Sequence, residues 1–301
     1  MGSFLNVLMM RVARGEDWVK KPSHCEKCQE KLAWYDKLPL LSFIFLRGKC
    51  RRCGEKIDAW HLVMELLGGG TLVLWWKTVV VSWMTVISLG EVVWQVTGSG
   101  ILLTGAMLVA MLALLGLIVA DLRFFLLPDV LVLSLAGAGL IWIVVALYWG
   151  ELAWPVLLNG LLAAVLAAGF FWLLDMVAEK IWRRPGMGAG DVKLVAVLVL
   201  WLIISSRDVA RLWWQVGAML LLAFVSGAVV GILRVIFDLC KDNLLLKLSK
   251  KSTKSRAVAK KQAGGQITGR YLPFGPFLIF GFLSSFLWCE VILNWWLTLF
   301  S

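Results

Sequence analysis

The chain has 301 residues and a formal net charge of +11; 60% of its residues are hydrophobic and only 16% are charged. Its mean hydropathy is +0.84, whereas a soluble domain is about half apolar and roughly a quarter charged. Apolar runs near the ~20 residues that cross a bilayer recur along the chain, which excludes a soluble protein. The cations gather in a few loops, as cytoplasmic loops of membrane proteins do, so we expect lipid rather than nucleic acid as the partner.

The chain begins with a short apolar segment, residues 1–10, which we expect to be part of a first transmembrane helix. A polar and basic segment follows at 11–59, and residues 60–301 carry the remaining spans. The apolar runs in that part are 60–89, 101–120, 124–149, 152–177, 192–205, 212–237 and 272–300. Alternate crossings then place the basic segments 11–58, 179–185 and 238–270 on one side, which the positive-inside bias makes the cytoplasm.

Four cysteines lie in the first polar segment, with a regular spacing. Cys25 and Cys28 form one CxxC motif, and Cys50 and Cys53 form a second after 21 intervening residues. This spacing is typical of a structural zinc site with four thiolates, and Gly54 supplies a tight turn after the last ligand. Two disulfides are the alternative, but structural disulfides are rare in the reducing cytoplasm.

The predicted fold is therefore an all-α polytopic membrane protein. It has about seven to eight transmembrane helices and a small N-terminal cytoplasmic zinc-binding domain. The other two cysteines, Cys240 and Cys289, are isolated, and we expect them to be small packing residues. Neither His24 nor His61 has a partner pattern that indicates catalysis.

Two aspartates lie at the cytoplasmic ends of predicted spans, Asp121 after 101–120 and Asp191 before 192–205. Ionisable residues in membrane segments are costly and indicate function by default. Two carboxyl groups held close together share a proton, so one can activate water while the other acts as an acid. Gly188 and Gly190 leave room for an extended peptide beside Asp191.

Other interpretations of the same residues remain open. Asp191 is also well placed as an N-cap or first-turn acid of a helix, and Asp121 can form an ion pair with Arg123. Asp129, after Pro128, indicates the start of the next helix. A transporter would place its charges near the bilayer midplane, often with an internal repeat, whereas a zinc-knuckle scaffold would have no activity at all.

Five segments, taken together and in order, resemble the bacterial prepilin peptidases, which are membrane aspartic proteases of the GxGD type. They are "GSFLNV" from Gly2, the cysteine-bearing segment 24–57, "ADLRFFLLPD" from Ala120, "GMGAGDVKL" from Gly186 and "LPFGPFL" from Leu272. The family typically carries half a helix more at its start. The resemblance covers nearly the whole chain.

The resemblance implies a function and a set of site residues. Asp121 and Asp191 would be the catalytic pair. They would remove the short basic leader of type IV prepilins or pseudopilins at the cytoplasmic face of the bacterial inner membrane. Many members also methylate the new N-terminus with S-adenosylmethionine. Here methylation rests on resemblance alone, because the sequence has no glycine-rich nucleotide loop.

Overall fold

The structure is a computed structural model, and it describes residues 2–16, 24–25, 27–33, 36, 41–77, 99–182, 188–206, 208–249 and 272–300. Its helices are, in chain order, α1 (Gly2–Ala13), α2 (Leu41–Phe45), α3 (Trp60–Trp75), α4 (Ser99–Phe124), α5 (Asp129–Tyr148), α6 (Trp154–Trp182), α7 (Ala189–Ser205), α8 (Val209–Ser249) and α9 (Gly275–Phe300). Within these ranges the extended pairing consists of two isolated antiparallel bridges, His24 with Lys31 and Lys49 with Lys56. The predicted all-α fold is confirmed.

Four helices of the described ranges are long and apolar enough to cross a membrane. The segments concerned are Leu102–Phe124, Asp129–Tyr148, Trp154–Ile181 and Val209–Cys240. Many of their apolar side chains are exposed in the isolated chain; Leu133 and Val165, for example, are 69% and 68% exposed. Lipid solvates such surfaces, and each helix satisfies its own backbone hydrogen bonds, as a membrane requires.

The first predicted span of the main membrane region is described only in part. α3 covers Trp60–Trp75 and continues without a break through Gly68, Gly69 and Gly70. The rest of that predicted span, from residue 78 onward, lies outside the described residues.

The predicted span 124–149 is wrong at its start, because Phe124 is the last residue of α4 and α5 begins only at Asp129. Phe125 has a φ of 52°, a left-handed conformation that ends a right-handed helix. The Phe125 N–H donates to the Asp121 carbonyl at 3.0 Å. Pro128 then takes the extended N-cap position of α5. Asp121 therefore lies in the last turn of α4.

Helix α7 packs against both α5 and α6. Leu194, Leu198 and Leu202 on α7 are completely buried. Glycines permit the close approach: a Cβ added at Gly160 of α6 would lie 2.2 Å from Ile203, and one at Gly139 of α5 would lie 2.9 Å from Trp201 Nε1. By contrast, nothing lies within 4 Å of a Cβ added at Gly137 of α5 or Gly169 of α6.

The chain divides into two compact units, Met1–Leu212 and Trp213–Ser301. In the second unit, the backbone of Met219 on α8 approaches Gly281 on α9, where an added Cβ would lie 2.3 Å from the Met219 carbonyl oxygen. Ser285 Oγ donates to the Gln215 carbonyl at 2.7 Å. Phe274, from the LPFGPFL segment, packs on Phe224 with ring centroids 5.4 Å apart.

Helix α8 is longer than the sequence indicates, with 41 residues where the apolar run ends at 237. Residues 238–249, which the sequence places in a basic loop, continue this helix, and residues 250–271 lie outside the described part. The domain boundaries at 10/11 and 59/60 stay a prediction.

Candidate active site and metal centre

Both predicted catalytic aspartates are buried at helix ends. Asp121, in the last turn of α4, is 6% exposed, and Asp191, in the first turn of α7, is 8% exposed. The N-cap of α7 is Gly188, which provides no side-chain cap. The N-cap interpretation of Asp191 is therefore wrong, while its first-turn position agrees with the sequence. Four unpaired N–H groups at a helix start favour a negative charge there.

The carboxyl group of Asp191 lies within electrostatic range of two other carboxyl groups. Asp121 contributes the larger interaction and Asp175 of α6 a smaller one. The Oδ1 atom of Asp191 is buried and has no hydrogen-bond partner in the described residues. A buried polar atom without a partner costs free energy, so this oxygen is available for a water molecule or a substrate.

Packing of the α4–α5 link on α7 brings the two aspartates, called here the aspartate pair, into one region. A Cβ added at Gly190 would lie 2.9 Å from Leu127 Cβ, whereas the nearest atom to one at Gly188 is 3.9 Å away. Gly190 therefore accommodates the link between α4 and α5. The sequence expectation that both glycines leave room for a peptide agrees with this geometry only at Gly188.

Asp129 is not part of the aspartate pair. Its Oδ1 accepts from Lys193 Nζ at 2.7 Å, and both side chains are more than half exposed. This ion pair joins the first residue of α5 to the second turn of α7. It agrees with the interpretation of Asp129 as a helix-start residue.

Arg123 does not form the ion pair with Asp121 that the sequence left open. Its guanidinium pairs with Asp58, just before α3. Its Nη1 donates to Asn6 Oδ1 of α1 at 3.4 Å, and Asn6 Nδ2 lies 3.0 Å from His61 Nδ1. We call Arg123, Asp58, Asn6 and His61 the arginine clamp. Sequence reasoning missed it, although an asparagine within the apolar run of α1 was a signal.

The four cysteines predicted as zinc ligands converge, and we call them the tetrathiol cluster. All four Sγ atoms lie within 4.8 Å of one another, and Cys25 Sγ is 3.7 Å from Cys53 Sγ. That separation is too long for a disulfide, in which S–S is about 2.05 Å. It fits a tetrahedral zinc, since Zn–S bonds of about 2.3 Å place the sulfurs about 3.8 Å apart. The residues therefore fit a metal with four thiolate ligands.

The cluster is built from two equivalent knuckles, "HCEKCQEK" at 24–31 and "KCRRCGEK" at 49–56. In the first, Cys25 N–H donates to the Glu30 carbonyl; in the second, Cys50 N–H donates to the Glu55 carbonyl. Gln29 and Gly54, which follow the second cysteine of each knuckle, both have positive φ, 57° and 70°. The turn that the sequence assigned to Gly54 is thus repeated by a non-glycine residue.

Charged side chains connect the two knuckles across the cluster. Lys27 of the first pairs with Glu55 of the second, and Arg52 of the second pairs with Glu30 of the first at 3.2 Å. Backbone N–H groups of Cys53 and Arg52 lower the pKa of Cys50 to about 7. Against the backbone hydrogen bond from Glu55, burial and the three neighbouring thiols raise the pKa of Cys53 to about 11, so the first thiolate of the cluster forms at Cys50.

Among the described side chains, the other cysteine and histidine candidates do not join either site. Cys240 is exposed on α8, so its interpretation as a packing residue is wrong. The side chain of Cys289 lies outside the described residues. His24 forms a backbone bridge with Lys31, and His61 belongs to the arginine clamp.

Comparisons with known proteins agree with these features. The sequence model of the bacterial Peptidase A24 N-terminal domain matches residues 1–79, and that of the type IV leader peptidase family matches residues 106–232. A prepilin leader peptidase/N-methyltransferase of Neisseria gonorrhoeae is 29% identical over 327 residues, covering 99% of this chain and 91% of that protein. One of Klebsiella pneumoniae is 35% identical over 208 residues, covering 67% and 80%. No solved structure matches the chain.

Long apolar helices, two buried carboxyl groups at their ends and a tetrathiol cluster outside them together define an α-helical, multi-pass membrane enzyme. The chain belongs to the type IV leader peptidase family and is a peptidase. The resemblance stated from the sequence is confirmed.

Proposed function

We propose that this enzyme removes the leader peptide of type IV prepilins or pseudopilins at the cytoplasmic face of the bacterial inner membrane, with Asp121 and Asp191 as its catalytic residues. The observation that carries the proposal is the aspartate pair: two buried carboxyl groups, 70 positions apart in sequence, that interact at the ends of α4 and α7. The names of the relatives supply the substrate class.

The chemistry needs only the two carboxyl groups and a water molecule. One carboxyl group is ionised and removes a proton from a water molecule, and the water oxygen then attacks the scissile carbonyl carbon. The other carboxyl group is protonated and stabilises the carbonyl oxygen as it gains negative charge. The proton then passes to the leaving amine. The unpaired Oδ1 of Asp191 is a suitable acceptor for the attacking water, because no other described group occupies it.

The orientation follows from charge. If segment 11–58 is cytoplasmic, alternate crossings put the basic segments 179–185 and 238–270 on the cytoplasmic side as well. The same topology puts Asp121 and Asp191 on that side. A prepilin whose apolar N-terminal helix enters the bilayer would then present its leader junction at the level of Asp121 and Asp191. The enzyme's own basic loops would contact anionic lipid headgroups rather than a basic leader.

The proposal also includes a structural metal ion and a second activity. The tetrathiol cluster holds a structural Zn²⁺, because four protein ligands leave no open coordination position. The enzyme also methylates the new N-terminus, with S-adenosylmethionine as the methyl donor that the family resemblance implies; the names of the relatives state N-methyltransferase activity for those proteins.

The test is cleavage of a candidate type IV prepilin co-expressed with the full-length chain, read by leader loss and by the mass of the new N-terminus. Asp121→Ala and Asp191→Ala are each expected to lower cleavage by about 10³-fold or more, the scale at which catalytic-group removal acts. Asp208→Asn is the matched control, since Asp208 is an exposed aspartate that caps the start of α8 through the Arg211 N–H, and it should cleave normally.

Wild-type-like cleavage by either alanine variant would refute the roles of the aspartate pair. With purified enzyme, the added mass of one methyl group should appear only when S-adenosylmethionine is present, while cleavage proceeds without it. A product that stays unmethylated with S-adenosylmethionine present would remove that part of the proposal.

A further inference from the structure

The arginine clamp connects three parts of the protein that are far apart in sequence. Arg123, in the last turn of α4, reaches Asp58 before α3 and Asn6 on α1, and Asn6 in turn contacts His61 on α3. The Arg123 guanidinium carbon also lies 5.3 Å from the ring centroids of Trp60 and Phe124. The two terminal nitrogens of the guanidinium thus have different partners, a use for which its rigid fork is suited.

The side chains of the arginine clamp are partly shielded from water, so their contacts contribute to the stability of this part of the fold. Asn6 is fully buried among the apolar side chains of Leu5, Leu8 and Met9 in α1, where an unpaired amide would be costly. Arg123 is 21% exposed at its side chain and Asp58 40%. Although partial burial raises it, the pKa of Asp58 is held below its usual value by the Trp60 N–H and by Arg123, so the pair is charged at neutral pH.

The position of the clamp relative to Asp121 is the central point. Two residues along an α-helix correspond to a rotation of about 200°, so Arg123 points to the side of α4 opposite Asp121. The helix ends one residue later, and Phe125 is left-handed. No further helical turn therefore follows the last turn of α4 to stabilise it. On the side away from Asp191, this turn is fixed by the contacts of Arg123 with Asp58 and Asn6.

We propose that Arg123, fixed by Asp58 and Asn6, is a positioning residue that holds the final turn of α4, and with it Asp121, against Asp191. This inference rests on the proposed function. Arg123 itself need not touch the substrate. It acts through the backbone of the last helical turn, so its loss should change the rate of the chemical step rather than substrate capture.

The test compares Asp58→Asn with Asp36→Asn in the full-length enzyme, with steady-state cleavage of a prepilin. Asp36 also forms an Asp–Arg pair, accepting from Arg51 at 2.8 and 3.0 Å, and its partner belongs to the second knuckle rather than to α4. We expect Asp58→Asn to lower kcat by roughly tenfold to a hundredfold with KM within twofold, since small misplacements of reacting groups act on this scale. Asp36→Asn should retain the wild-type kcat, and Asp58→Glu should recover part of the loss.

Several outcomes would overturn the inference: a wild-type kcat in Asp58→Asn, an effect confined to KM, or an equal loss in Asp36→Asn. If Asp58→Asn does not fold, Arg123→Lys gives the second measurement, because lysine keeps the charge but cannot reach two partners with a fork. A wild-type kcat for Arg123→Lys would also overturn it. The proposed function fails separately, if wild type does not cleave or Asp191→Ala does.

Discussion

The tetrathiol cluster and the aspartate pair belong to the same unit of the protein, but they are assembled in opposite ways. Each half of the cluster is an eight-residue knuckle whose geometry comes from its own backbone hydrogen bonds, and its thiols are exposed or only half-buried. The aspartate pair has no local scaffold. Its two members are buried, and their meeting depends on how α5 and α7 pack and where α4 ends.

This difference indicates which kinds of site tolerate change. A local chelate depends on a few ligands and on turn conformations, so it should be sensitive to ligand loss and insensitive to surface charge. A site formed by helix packing needs free space where the helices touch, so a single methyl group added at such a contact should be harmful. Three predictions test this comparison, in order of decreasing expected effect.

The largest effect is expected from removing one ligand. Cys50→Ser should lose most of the bound zinc, from about one ion per chain, and should melt at lower temperature, because a structural zinc contributes on the order of 10 kcal/mol to its fold. Metal analysis of the purified protein measures the first and thermal unfolding the second. Cys240→Ser is the control, since Cys240 is an exposed cysteine outside the cluster. Full zinc content in Cys50→Ser, or no zinc in wild type, would contradict the assignment.

A smaller loss is expected from adding one methyl group at the packing contact. Gly190→Ala would place a Cβ 2.9 Å from Leu127 Cβ and should cost about 1–3 kcal/mol through overpacking. Gly188→Ala, two residues earlier in the same motif, meets no atom closer than 3.9 Å and should cost less. Unfolding in detergent measures both. Leu127→Gly should relieve the Gly190→Ala strain; equal losses in the two alanine variants would show that packing does not distinguish these glycines.

The smallest effect is expected from the ion pairs across the knuckles. Glu55→Gln breaks the pair with Lys27, whose side chain is 66% exposed. Exposed pairs contribute little and are screened by salt. Zinc content should therefore be unchanged, and any difference in melting temperature from wild type should shrink at high salt. Loss of zinc in Glu55→Gln would mean that the cluster depends on its surface charges after all.

The sequence was sufficient for the parts that depend on local spacing. The CxxC pairs predicted the convergence of Cys25, Cys28, Cys50 and Cys53, because ligand geometry is set within a few residues. Asp121 and Asp191 were correctly expected at helix ends, because each adjoins a long apolar run.

The parts that failed depend on contacts between distant segments. Nothing near Arg123 in sequence indicates Asp58 or Asn6 as its partners, and the nearer Asp121 was the natural candidate. The contact of Gly190 with Leu127 requires knowing that the α4–α5 link lies on α7. The start of the predicted span at residue 124 was misplaced because hydropathy does not change between Phe124 and Leu127. Pro128 and Asp129 did mark the start of α5, but the left-handed Phe125 that ends α4 could not be foreseen.

The length of α8 has a mechanical consequence. Its 41 residues form a rod about 62 Å long at 1.5 Å per residue, roughly twice the ~30 Å hydrocarbon thickness. Even at a tilt of about 40°, the upper end of the usual range, it is too long to be covered by lipid throughout. The boundary between the hydrocarbon layer and water therefore falls within one continuous helix, which has no break between its embedded and its exposed parts. A rocking of the embedded portion by about 5° about one end would sweep the other end through about 5 Å, as a lever does.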